Sequence, residues 1–162
     1  MDRALFVVTL LSALGSGLIG GLFFAFSVFV MTALGRIAPA AGIAAMQSIN
    51  VAVLNPVFFA AFFGTAVLTA LALIAGLSNW PQASARYLVV GGMLYLAGTI
   101  AVTMVCNVPL NNKLARVQPE SDEGALLWQR YLSDWTAWNH VRTITALAAS
   151  ACFIMALVRL AS

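Results

Sequence analysis

The stretch ALFVVTLLSALGSGLIGGLFFAFSVFVMTALG, Ala4 to Gly35, holds no charged side chain. At 1.5 Å per residue a helix over 4–34 would be about 46 Å long, more than the roughly 30 Å hydrocarbon core of a bilayer. It is therefore read as a tilted transmembrane helix, or one that projects beyond the membrane. Met1-Asp2-Arg3 ahead of it resembles the start of a signal peptide. The apolar run is too long for a signal-peptide core, so a first membrane span is the better reading.

The rest of the chain repeats the pattern. Ile37 to Ala85, Tyr87 to Asn112 and Thr143 to Val158 are also free of charge. Of the 162 residues, 62% are hydrophobic and 8% charged, against about 25% charged in an average soluble domain. Mean hydropathy is +0.98. These values exclude an ordinary soluble enzyme and a disordered chain, which needs low hydrophobicity and high charge. The net charge of +3 is spread thinly. Nucleic-acid binding needs a clustered basic patch, and none exists. The expected architecture is all-α: one integral membrane domain over 1–162, a four-transmembrane-helix bundle with a polar pocket at one membrane face. Its spans are expected at about 4–34, 55–76, 86–106 and 140–160.

The connections carry the local signals. Pro39 can start a short helix at the membrane surface, with Ile43, Met46 and Ile49 at helical spacing. Asn55-Pro56 reads as a cap followed by proline at the first helical position. Alternatively, Asn50 and Asn55 lie inside a longer helix kinked at Pro56. The polar connection 107–139 is the longest, and Ser121 is a plausible cap for a helix over about 122–138 that is either separate from the last span or continuous with it. Trp128, Tyr131, Trp135 and Trp138 fall on one stripe of that helix. Such a stripe reads as an interface belt or bundle packing, or as a wall for a flat aromatic ligand. Gly17 and Gly21 make a GxxxG pair, which suits close packing within the bundle or a homo-oligomer interface. Cys106 and Cys152 form no CxxC pair and are expected as buried free thiols.

Of the 13 charged residues, 9 lie at the end shared by the first and the long connections: Arg36 and the eight from Lys113 to Arg142. Counting positive charges alone places that end in the cytoplasm by a small margin. The same end gathers Gln47, Asn50, Asn55, Asn107, Asn111, Asn112, Asp134, Asn139, His140 and Arg142. Polar groups near hydrocarbon are costly unless paired or facing water, so this is where a pocket is expected.

His140, the sole histidine, is the natural general-base candidate because imidazole titrates near neutrality. The other reading is an interfacial histidine bonded to a neighbouring loop. Arg142 shares a helical face with Asn139 and could hold an anionic or phenolate oxygen; it could also snorkel, or pair with Asp134. On an unbroken helix His140 points about 100° away from Asn139. One histidine cannot supply an ordinary zinc or iron site within one chain. No cofactor is therefore expected; an axial haem ligand or a metal shared between subunits stays open. No GxGxxG, P-loop, HExxH or GxSxG motif is present. The first three spans hold no carboxylate, which argues against a small proton-coupled exporter.

Four segments carry a family resemblance: Gly20 to Ser27 (GGLFFAFS), Ala45 to Asn50 (AMQSIN), Asn107 to Leu114 (NVPLNNKL), and Trp128 through Trp135 to Arg142 (WTAWNHVR). In order and spacing the chain resembles the anthrone oxygenase family of small four-helix membrane proteins. The resemblance implies oxidation of an anthrone-like, hydrophobic aromatic substrate by dioxygen. In that chemistry a base such as His140 removes the proton beside the carbonyl. The resulting carbanion reduces dioxygen itself. Asn107, Asn111, Asn139 and Arg142 would stabilise the oxyanion. Trp128, Tyr131, Trp135, Trp138, Gln47, Asn50 and Phe23 would form the substrate-binding wall. The expected partners are a hydrophobic small molecule and membrane lipid, and the expected location is the bacterial inner membrane. Two other classes compete: a non-catalytic binding protein for a lipid, quinone or haem, and a structural or assembly subunit.

Overall fold

The computed structural model describes residues 3–161. Five helices account for nearly all of them, and no strand occurs among the described residues. Four helices are long and apolar enough to cross a membrane: α1 (Arg3–Leu34), α3 (Pro56–Ser78), α4 (Ala85–Leu114) and α5, whose apolar span covers Asp122–Leu160. The whole of α5 runs Asp122–Ala161, 40 residues, or about 60 Å. Between α1 and α3 lies the shorter α2 (Pro39–Ala52). The spans fit an integral membrane protein. Their outer faces carry Leu14, Leu18, Val67, Ile74 and Ile144, each at least 59% exposed. Such side chains are tolerated in lipid and would be a liability in water.

The helix starts follow the local chemistry. Asn55 caps α3 through its side-chain oxygen, which accepts from the Phe58 N–H at 2.9 Å, and Pro56 takes the first helical position. A helix kinked at Pro56 is thereby excluded, and Asn50 belongs to α2 instead. Ser121 caps α5, accepting from the Gly124 N–H at 3.0 Å. The helix expected over 122–138 and the fourth span are one unbroken α5. The third span also runs further than expected. A π-helical turn over Thr103–Asn107 precedes a fresh α-helical register from Val108. Pro109 sits in the first turn of that register, where its missing N–H costs little. Asn107 to Leu114 thus belongs to α4 and not to a loop.

The spans pack in the cyclic order α1, α3, α4, α5. A transmembrane core joins Ile19, Phe23, Phe62, Tyr95, Phe153 and the small residues Ala146, Ala149 and Ala156. A second core, of Met31, Ile43, Met46, Leu114, Trp128, Tyr131 and Trp135, lies where α2 covers the ends of α1 and α4 and the first half of α5. Within the bundle Gly17 and Gly21 do not act as a pair. A Cβ on Gly17 would stand 3.2 Å from the Ser150 hydroxyl on α5, whereas one on Gly21 would meet nothing within 4 Å. Cys106 and Cys152 are free, but each is partly exposed and not buried.

The bundle is a wedge. At one end α3 and α4 touch through glycine. A Cβ on Gly92 would lie 2.7 Å from the Leu73 Cβ and 3.0 Å from the Thr69 carbonyl oxygen, and one on Gly76 would lie 2.9 Å from the Ala85 carbonyl oxygen. At the other end the start of α3 is filled by Phe58, Phe59, Phe62 and Phe63, whose rings contact one another at centroid distances of 5.1 to 6.3 Å. Small residues draw the helices together and large ones hold them apart. The spreading end is the one that α2 covers.

Candidate functional site

A cavity of about 340 Å³ occupies the spreading end, within the roughly 300–1,000 Å³ usual for small-molecule sites. Its wall is mostly apolar, and the polar groups on it are Asn50, Thr103, Asn111 and Arg142. Two π-helical turns border it. Phe26, in the π-helical turn of α1, lines it, as do Thr103 and Met104 in the last such turn of α4. Interruptions of this kind inside helices gather at functional sites.

Arg142 is the dominant group. It is 4% exposed, so it does not snorkel. It lies about 30 Å from either end of α5 by helical rise. Among the described residues no carboxylate pairs with it, and Asp134 is exposed on a different groove. Its neighbours are neutral. One Nη donates to the Asn139 side-chain oxygen at 2.5 Å, and the other reaches the Thr103 hydroxyl at 3.3 Å. The guanidinium carbon lies 4.1 Å from the centroid of the Phe23 ring and 5.1 Å from that of Trp135. Aromatic faces offset part of the cost of burying a cation, but they do not neutralise it. The Nε–H has no partner.

Asn139 holds Arg142 in place. It is fully buried and donates to the Phe23 carbonyl and to the Ser27 hydroxyl, each at 2.7 Å. Its side-chain oxygen is thereby turned towards the guanidinium, and an acceptor is what a guanidinium needs. Thr143 extends the cluster, with its hydroxyl 3.3 Å from that of Ser27 and 2.8 Å from the Asn139 carbonyl oxygen. Two further polar atoms nearby are buried without partners: the Trp135 indole N–H and the Asn107 side-chain oxygen. Buried polar groups are normally paired, so the indole N–H of Trp135, a lining residue, is a spare donor beside the cavity.

The structure brings Phe23, Asn50, Asn111, Trp135 and Arg142 onto one wall. Asn139 and Asn107 stand one layer behind. The Asn107 amide donates to the Trp135 carbonyl at 3.1 Å and so ties α4 to α5. Tyr131 is buried and donates to the Asn111 side-chain oxygen at 2.8 Å. Trp128, Tyr131 and Trp135 stack in sequence, with centroids 5.6 and 6.0 Å apart, but only Trp135 reaches the cavity. Gln47 faces away from it, donating to the carbonyls of Leu114 at 2.8 Å and Val117 at 3.1 Å. Trp138 is 42% exposed and lies on the outer groove. His140 is exposed and is not part of the cavity wall. The reason is the continuity of α5: with no break before residue 140, its side chain projects about 100° from that of Asn139. A role as base at the cavity does not follow from this placement. Among the described residues no group of three or more His, Cys, Asp or Glu side chains comes together.

Sequence reasoning missed Ser27, Thr103, Phe62 and Met104. Phe58, Phe59, Phe62 and Phe63 had a readable signal, a double aromatic pair one helical turn apart.

The sequence model of one protein family, Anthrone oxygenase, matches residues 57–152, more than half of the chain. The chain belongs to the anthrone oxygenase family. The matched region holds Thr103, Asn111, Trp135, Asn139 and Arg142, while Phe23 and Asn50 lie ahead of it. No curated protein and no solved structure matches the chain. In this member of the family, therefore, the arrangement around Arg142 is the direct guide to chemistry. A buried cation with aromatic faces and a free indole N–H can receive a flat ligand whose oxygen carries or develops negative charge.

Proposed function

We propose that this protein is a membrane oxygenase that converts an anthrone-like ketone to the corresponding quinone with dioxygen. The observation that carries the reading is Arg142: a buried guanidinium without a counter-ion on the wall of an apolar cavity. Family membership agrees with it.

In the proposed reaction the ketone oxygen of the substrate lies against Arg142 and the Trp135 indole N–H. Loss of a proton from the ring methylene gives the enolate, whose negative charge sits mainly on that oxygen. Preorganised donors aimed at developing charge make some of the strongest contributions to catalysis. Proton loss becomes easier because the enolate, not the ketone, is favoured by the cation. The proton passes to water at the polar end of the cavity, by Asn50 and Asn111. The enolate gives one electron to dioxygen, and the radical and superoxide combine to form a carbon–oxygen bond. The peroxide anion takes a proton back from water, and the resulting hydroperoxide loses its remaining C–H proton and hydroxide, leaving a second carbonyl. One substrate and one dioxygen give one quinone and one water.

The test is purified protein in lipid nanodiscs supplied with anthrone under air. Anthraquinone formation and oxygen uptake in equal amounts, faster than in empty nanodiscs, are the expected outcome. A rate equal to that of empty nanodiscs would reject the oxygenase.

One observation favours a second reading. Among the described residues that line the cavity there is no carboxylate, histidine or cysteine, so binding of a quinone-like molecule without turnover is the alternative. It predicts saturable anthraquinone binding with no oxygen uptake.

A further inference from the structure

One side of the cavity opens between two membrane spans, apart from its end at the α2–α3 turn, where Leu54 lines it and is exposed. Phe63 on α3 and Met104 on α4 both line the cavity, yet they stay 44% and 52% exposed. Both lie within the apolar spans. α3 packs along the first part of α4 and then parts from it, so the gap between the two helices opens at the level of these side chains. No charged residue lies on α3 or on α4 between Tyr87 and Asn112, so water gains nothing by filling the gap. An apolar polycyclic molecule dissolves in the hydrocarbon in preference to water.

We infer that Phe63 and Met104 flank a lateral portal, through which a planar, oxygen-bearing polycyclic aromatic passes from the bilayer interior to Arg142. The inference rests on the proposed site but not on its turnover. An aromatic side chain at one post and a flexible thioether at the other suit passage of a flat ring edge-on. Methionine reshapes around irregular apolar surfaces at little cost. Phe23 and Trp135 then flank the guanidinium at the far end of the path.

A portal residue changes how fast a ligand arrives and leaves; a wall residue changes how tightly it is held. The experiment is stopped-flow binding of anthraquinone to the full chain in liposomes, read by quenching of tryptophan fluorescence. Met104→Trp narrows the gap and is expected to slow association and dissociation together, by roughly tenfold or more, with their ratio nearly constant. Phe63→Ala widens it and is expected to speed both. Val105→Trp is the control, since Val105 is 72% exposed to lipid but does not line the cavity; its rates should match those of the unaltered chain. Rates unchanged in both Met104→Trp and Phe63→Ala would overturn the portal, and so would failure of the unaltered chain to bind anthraquinone. Binding with portal-dependent rates but no oxygen uptake would reject the oxygenase and leave the portal standing.

Discussion

Asn139 presents its side-chain oxygen to Arg142 at 2.5 Å because its amide nitrogen is already committed to the Phe23 carbonyl and the Ser27 hydroxyl on α1. The two residues are three apart on α5, so helix geometry places them on one face. α1 thereby decides how a cation on α5 is aimed. In Asn139→Leu the guanidinium loses its acceptor, and two groups on α1 lose their donor. Stability should fall by about 1–3 kcal/mol, and anthrone oxidation should fall with it. Asn139→Asp keeps an acceptor for the guanidinium but neutralises it and turns a carboxylate oxygen towards the Phe23 carbonyl, so it should lose stability as well as oxyanion binding. Thermal unfolding in detergent, measured beside oxygen uptake, reads both.

The Trp135 indole N–H is buried without a partner. Trp135→Phe removes an unsatisfied donor and keeps an aromatic face, so stability should hold. If the N–H serves the ligand oxygen, affinity for anthraquinone should drop by about 0.5–1.5 kcal/mol, the net worth of one hydrogen bond. Equilibrium fluorescence titration checks this, with anthracene, which has no oxygen, as the ligand whose affinity should not change.

His140 is exposed and faces away from the cavity. His140→Ala should therefore keep oxygen uptake within about twofold of the native rate, and its stability should stay within about 0.5 kcal/mol, as for other surface substitutions. A collapse of the rate in this variant, with folding intact, would return the histidine to the mechanism.

The wedge depends on glycine at the closed end. Gly92→Leu places a branched side chain where a Cβ alone would already stand 2.7 Å from Leu73. The helices cannot interlock at that point, and the yield of folded protein should collapse. Gly21→Ala, at a position with open space around it, should be neutral. Thermal unfolding midpoints in detergent compare the two.

Much of this architecture is readable from the chain. Charge-free runs mark the spans, because a charge at mid-bilayer is costly. Asn55-Pro56 and Ser121 mark helix starts, because their side chains satisfy N–H groups that a helix start leaves open. The end of α4 is not readable, because Pro109 suggests a stop and only the π-helical turn before it lets the helix continue. The site divides in the same way. Arg142, Asn111 and Asn50 stand out as polar groups in an apolar setting. Ser27 and Thr103 do not, since hydroxyls occur throughout these helices and most turn back to their own backbone, as Thr9 does to the Leu5 carbonyl at 2.7 Å. His140 and Arg142 look alike as candidates in the bare sequence. Two residues of helical rotation separate a side chain in the core from one on the surface.

The role of Arg142 is tested at its root by converting anthrone to anthraquinone in nanodiscs, with the native chain and Arg142→Gln side by side. Glutamine keeps hydrogen-bond donors on the wall and removes the charge. The native chain should accelerate the conversion over empty nanodiscs. The variant should stay folded and lose about 10²–10³-fold of that rate. Equal acceleration by native chain and variant, or none by the native chain, would contradict a catalytic guanidinium in this cavity.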